Sequence, residues 1–240
     1  MYRSLNPDKT LETIELLNRR IHERFPVAGL GQVCEELLAI ATASKQRAEW
    51  ISKPIHLLRI SIGTILVLGL YALFYSISLM DISFKTLDIG EFVQMTEAAI
   101  NDLVLIGAAI FFLVTIETRI KRVRALDALH ELRTIAHVID MHQLTKDPSK
   151  LTQRVIVTPS SPKEAMSAYE LIRYLDYCSE MLSLTGKIAA LYAQNFRDAV
   201  VLSAVNELEN LTTSLSRKIW QKIMIVDKQE LARPSSAGTN

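Results

Sequence analysis

The stretch that decides the fold is Leu103-Val-Leu-Ile-Gly-Ala-Ala-Ile-Phe-Phe-Leu-Val-Thr-Ile116-Glu-Thr-Arg119-Ile-Lys121-Arg122-Val-Arg124, continued by Ala125-Leu-Asp-Ala-Leu-His130-Glu-Leu-Arg133-Thr-Ile-Ala-His137-Val-Ile-Asp140-Met-His142-Gln-Leu144. Its first part is apolar and uncharged, a block of basic residues follows, and an amphipathic segment holds three of the five histidines. No Pro or Gly lies between Gly107 and Pro148. The sequence therefore predicts one helix that leaves the hydrocarbon core of a membrane and continues into water as the spine of a helical bundle.

Two spans fit the hydropathy. Ile60–Met80 carries no charge over 21 residues. At about 1.5 Å per residue that is roughly 31 Å, against a hydrocarbon core of about 30 Å. Tyr71 and Tyr75 stand near its outer end, and Arg59 at its inner end can extend to the headgroups. The second span, Ala98–Ile116, starts weakly because Asn101 and Asp102 lie one turn inside. Asp102 reads first as an interfacial residue of the outer leaflet, and second as a candidate intramembrane polar site.

Lys45, Arg47, Lys53 and Arg59 flank the first span, and Arg119, Lys121, Arg122 and Arg124 the second, whereas 81–97 has four acidic residues and one lysine. The positive-inside rule then places both termini in the cytoplasm and the acidic loop outside. The basic flanks are topology signals that meet anionic headgroups. They lack the interleaved aromatics of a single-strand nucleic-acid site, so no nucleic-acid partner is expected. No short apolar leader follows Met1, and internal spans are expected to direct insertion. Cys34 and Cys178 fall on the cytoplasmic side and are expected to be reduced thiols.

Around the spine the rest is helical. Asn6-Pro7 reads as an N-cap with Pro in the first turn, followed by Leu11, Ile14, Leu17 and Ile21 on a helix ending before Pro26. A second helix over 32–52 carries Val33, Leu37, Ile40 and Ala41 after the Gly29-Leu-Gly31 turn. Pro54 fits the first turn of the membrane helix. Residues 149–161 form a long connection with one apolar triplet, Val155-Ile-Val157. Ser161-Pro-Lys-Glu164 reads as a capping box, and the helix after it has Ala168, Leu171, Leu175, Cys178, Leu182, Thr185, Ala189 and Tyr192 at heptad spacing. A last helix, about 198–226, spaces Val201, Val205, Leu208, Leu211, Leu215, Ile219, Ile223 and Val226 near 3.6. The fold expected is all-α: a transmembrane hairpin with a cytoplasmic antiparallel helical bundle built on the continuation of the second span. Its parts are 1–53 amphipathic helices, 54–80 first span, 81–97 loop, 98–118 second span, 119–230 bundle and 231–240 tail.

Two constellations could carry chemistry. His130, Arg133, His137 and Asp140 form one polar stripe along the spine, opposite Leu132, Ile135 and Ile139, with His142 turned towards the apolar side. Histidine and carboxylate at helical spacing can ligate a metal, but His130 and His137 stand ~10.5 Å apart along the axis, and no HExxH or di-iron ExxH occurs. Arg133 between them opposes a cation. Arg173, Asp176, Tyr177 and Glu180 share a face of the next helix, explained by ion pairs along it. The expectation is that this face meets the histidine stripe in a register-fixing polar network or serves as a partner face. There is no Walker A loop, GxGxxG or GxSxG. No catalytic residue, metal or cofactor is therefore assigned.

Leu17-Asn-Arg-Arg-Ile-His-Glu-Arg-Phe-Pro26, Leu132-Arg-Thr-Ile-Ala-His-Val-Ile-Asp-Met-His-Gln-Leu-Thr-Lys-Asp-Pro148, Arg173-Tyr-Leu-Asp-Tyr-Cys-Ser-Glu180 and Leu215-Ser-Arg-Lys-Ile-Trp-Gln-Lys-Ile-Met224 resemble segments of a bacterial family of uncharacterised two-span membrane proteins. The resemblance implies a bacterial inner membrane and brings no activity or site residues. The function expected is a non-enzymatic, membrane-anchored helical scaffold or signalling subunit, whose bundle binds a cytoplasmic protein or a second copy. The alternatives are a homo-oligomeric two-span ion channel, and a metal-dependent membrane enzyme using His130, His137 and Asp140.

Overall fold

The computed structural model describes residues 4–79, 89–148 and 166–231, and among them every regular element is a helix. Val155–Val157 and the Ser161–Glu164 box lie outside the described residues. The six helices are α1 (Pro7–Arg24), α2 (Leu30–Ser52), α3 (His56–Leu79), α4 (Ile89–Leu144), α5 (Ala168–Asn195) and α6 (Ala199–Leu231). They divide into two compact units, 53–123 and the rest.

Local chemistry sets the helix ends. Asn6 Oδ1 accepts the Asp8 and Lys9 amides at 2.9 and 3.4 Å, with Pro7 in the first turn. α5 starts later than the sequence suggests, because Ser167 and Glu170 form a reciprocal capping box: Ser167 Oγ accepts the Glu170 amide at 3.2 Å, and the Glu170 carboxylate accepts the Ser167 amide at 2.8 Å. Asp198 caps α6 through the Val200 and Val201 amides. α3 begins at His56, so Pro54 lies just ahead of its first turn.

The acidic loop needs a correction. α4 begins at Ile89, so 89–97 is helix, and 80–88 lies outside the described residues. Gly90 does not stop it. A Gly inside a helix costs about 1 kcal/mol relative to Ala, and Gly90 stands in the first turn of α4.

Two helical stretches hold an 18-residue window apolar enough to cross a membrane, with mean hydropathy 1.6 and 2.1, and neither window is buried. In the 53–123 unit Leu57, Phe74, Leu103 and Phe111 are more than 70% exposed. Two helices of this length and apolarity could cross a membrane.

In the other unit α5 is the most enclosed helix, packed on α1, α2 and α6. Of its heptad positions Leu171, Leu175, Cys178, Leu182, Thr185, Ala189 and Tyr192 are buried. So are Tyr174, Tyr177, Met181, Leu184, Gly186, Ile188 and Leu191, so that it buries most of its circumference. Thr185 Oγ1 donates to Met181 O at 2.8 Å, which lets a hydroxyl sit in the seam without an unmet bond. A Cβ on Gly186 would lie 3.2 Å from Thr212 Oγ1, a sign of close α5–α6 approach. Leu5 meets Gln194, Arg20 meets Glu180, and Arg24 meets Tyr169, so α1 and α5 run in opposite directions. Trp50 lies under Arg124, and Arg47 pairs with Glu131 at 2.6 Å, which joins α2 to α4.

α2 begins at Leu30, so Leu30 and Gly31 are helical rather than part of the turn expected from the sequence, and Gly29 and Gly31 allow close approach. A Cβ on Gly31 would lie 2.8 Å from His22 Nε2, and one on Gly29 would lie 3.0 Å from His142 Cε1. Two imidazoles rest on the bare backbone at the start of α2.

Candidate functional site

The spine places its apolar and polar positions as the periodicity requires. Leu132, Ile135 and Ile139 are buried, and His142 turns inward to Gly29. His130 and His137 are exposed. Arg133 Nη2 reaches Glu207 Oε2 of α6 at 2.9 Å, and Asp140 Oδ1 accepts from Gln143 Nε2 at 2.7 Å. The arginine of the stripe therefore points to α6. The expected junction with Arg173, Asp176, Tyr177 and Glu180 is not made: among the described residues no hydrogen bond or ion pair joins the two groups. Nor do three His, Cys, Asp or Glu side chains there converge as metal ligands.

His137→Gln is expected to leave the midpoint of unfolding within about 0.5 kcal/mol of wild type, as at any exposed position. A denaturant titration in detergent checks this, and a loss above about 2 kcal/mol would mean the imidazole is part of a buried network.

The second constellation packs against α1 instead. Arg173 Nη1 bonds Asp176 Oδ2 at 3.0 Å and stands 5.0 Å over the Tyr177 ring. Glu180 pairs with Arg20 at 3.5 Å. Phe25, at the C-cap of α1, meets Tyr174 and Tyr177 edge-on at 5.5 and 6.2 Å. Arg24 Nη1 donates to Tyr169 Oη at 3.0 Å. Tyr177 is 1% exposed, so this helix face is an aromatic contact with a charged rim.

Three arrangements escaped the sequence reading. Glu117, within the basic block, accepts from Arg59 Nε at 2.7 Å and from Lys121 Nζ at 2.8 Å, and its Oε1 also faces the Ile55 amide at 3.4 Å. The i,i+4 spacing of Glu117 and Lys121 was visible, but Arg59 and Ile55 are far away in sequence. Lys222 of α6 donates to Gln143 O and Lys146 O at 2.8 and 3.2 Å, closing the C-terminal end of α4. Burial pushes the Lys222 pKa down, against the pull of Asp147 and Asp140. Ser44 and Tyr192 are both buried with hydroxyls that lack a well-formed hydrogen bond, beside the Arg47–Glu131 pair. Desolvation raises the Tyr192 pKa.

Burial disfavours the thiolate form of both cysteines. Cys34 and Cys178 are fully buried, and desolvation pushes both thiols up to about 12. Asp102 is exposed on α4. Tyr71 and Tyr75 stack at 6.3 Å between centroids.

These features define an all-helical protein with two helices long and apolar enough to span a membrane. No family model, curated protein or solved structure matches the chain.

Proposed function

We propose that this chain is a two-span membrane anchor whose second unit, a cytoplasmic antiparallel helical bundle, binds a protein partner or a second copy as a scaffold or signalling subunit. The observation that carries the reading is the contrast between the units. Both apolar windows are unburied, whereas α5 is enclosed by helices on most sides. Basic residues at the inner ends of the windows suit anionic headgroups of a cytoplasmic leaflet. The resemblance to bacterial two-span proteins makes an inner membrane the expected setting.

The reading is tested by accessibility. In intact cells a cysteine at Ser83 is expected to react with a membrane-impermeant thiol reagent, and one at Ser236 only after permeabilisation. Cys34 and Cys178 should give little background, because both are buried. Labelling at Ser236 but not Ser83 would reverse the orientation. Release of the protein from membranes by alkaline carbonate would remove the anchor altogether.

A further inference from the structure

The outer face of α6 carries a line of side chains that the described helices leave uncovered. Leu202, Asn206, Glu209, Thr213, Arg217, Trp220 and Met224 follow one another at steps of 4, 3, 4, 4, 3 and 4. At 100° per residue all of them fall within about 40° of one line along the helix. Every one is exposed, Trp220 by 60%, whereas Leu208, Leu215 and Ile219 on the core face are buried. Glu207 and Lys222, which reach α4, project from other flanks of the helix. Neither Glu209 nor Arg217 has a charged partner among the described residues.

The line mirrors itself about Thr213. Steps of 4, 7 and 11 to either side lead to Glu209 and Arg217, to Asn206 and Trp220, and to Leu202 and Met224. When two copies of a helix pack antiparallel about a two-fold axis, a residue k places before the centre faces the residue k places after it in the other copy. Each pair made in this way is complementary: a carboxylate with a guanidinium, a carboxamide oxygen with an indole N–H, and leucine with a thioether. Parallel pairing would set Glu209 against Glu209 and Arg217 against Arg217, so the charges select the antiparallel sense. An anionic lipid surface or an acidic segment would be opposed by Glu209 within the line. A second copy answers every position.

We propose that this face of α6 is the contact between two copies of the chain, paired antiparallel about a two-fold axis at Thr213. Trp220 is its anchor, and the Glu209–Arg217 pair, made twice by symmetry, sets its register. The proposal rests on the second-copy branch of the function proposed above and needs nothing of the membrane spans. Leu202 and Met224 close the two ends, where truncation costs little. The line is about 33 Å long, which makes a small interface, so a reversible dimer is expected at roughly micromolar concentration.

Sedimentation equilibrium of the full chain in density-matched micelles tests it, and a wild-type dimer is expected. Glu209→Arg and Arg217→Glu should each weaken the dimer about tenfold or more, because each sets like charges together twice. The double variant Glu209→Arg with Arg217→Glu restores opposite charges and should regain most of the affinity. A second measurement reads the register. Thr213→Cys should oxidise to a covalent dimer, since the axis brings position 213 to its own copy. Leu202→Cys, about 33 Å from its own copy, should not. Cys34 and Cys178 are buried and add little background. A monomeric wild type overturns both this face and the second-copy branch, in favour of a different protein as partner. A dimer that ignores both charge reversals, or is not regained by the double variant, overturns this face and keeps the second-copy branch. So does cross-linking through Leu202→Cys but not through Thr213→Cys.

Discussion

Leu182→Ala is expected to cost about 2–5 kcal/mol of unfolding free energy, towards the upper part of that range, and Leu175→Ala a similar amount. Both leucines are 0% exposed. The loss has two components, the transfer free energy of the removed carbons and the cavity they leave. The second depends on whether neighbours can move in. α5 is packed on α1, α2 and α6 together, so no single neighbour can close the space without leaving another contact. Chemical unfolding of the full chain in micelles gives the number, with Leu202→Ala as a control at a position 38% exposed. Equal stabilities for Leu182→Ala and Leu202→Ala would show that α5 is not enclosed in solution. A change in denaturant slope rather than midpoint would instead place the effect in the unfolded chain.

The heptad that marks Leu175 and Leu182 was legible because packing of one helix against others selects apolar side chains at a fixed period. The same logic located α6, where Val201, Val205, Leu208, Leu215, Ile219, Ile223 and Val226 are all buried. It also gave Ile14, Leu17 and Ile21 of α1, and both apolar windows. What periodicity understated was the enclosure of α5. Tyr177 shares a helix face with Arg173, Asp176 and Glu180 in the sequence, yet Phe25 and cations pack against it and against Tyr174. A helix contacted on three sides does not advertise that fact through one seam.

Polar partners were less legible because they depend on which helices become neighbours. The histidine stripe was placed correctly on its helix, opposite Leu132 and Ile139, but its partner was not. Arg133 reaches Glu207, while Arg173 and Tyr177 turn to the end of α1. Long-range pairs such as Arg47–Glu131, Lys222–Gln143 and Leu5–Gln194 have no local signature. The start of α5 shows a related limit. Both Ser161-Pro-Lys-Glu164 and Ser167-Ala-Tyr-Glu170 satisfy the capping pattern, and the second caps the helix that is described.

Glu117→Ala is expected to destabilise the 53–123 unit by about 3–5 kcal/mol, the cost of leaving a buried charge without its partner. The Glu117 side chain is 13% exposed and that of Lys121 9%. Removing the carboxylate leaves the Lys121 ammonium poorly solvated. It also takes away the acceptor for Arg59 and for the Ile55 amide, ahead of the first turn of α3. A negative charge there suits the exposed amides at a helix start. Arg59 is 61% exposed and can turn to water or headgroups, so its share of the loss is small. Lys121 should dominate, and this gives the test its internal control. Glu117→Leu combined with Lys121→Met removes both charges and keeps apolar volume. The pair should return most of the lost stability, because replacing a buried ion pair by packed apolar groups is often neutral. Detergent-titrated unfolding of wild type, Glu117→Leu, Lys121→Met and the double variant completes the cycle. A Glu117→Ala variant within about 0.5 kcal/mol of wild type would mean that water reaches Lys121 freely, and that the two apolar helices are held together by something other than this carboxylate.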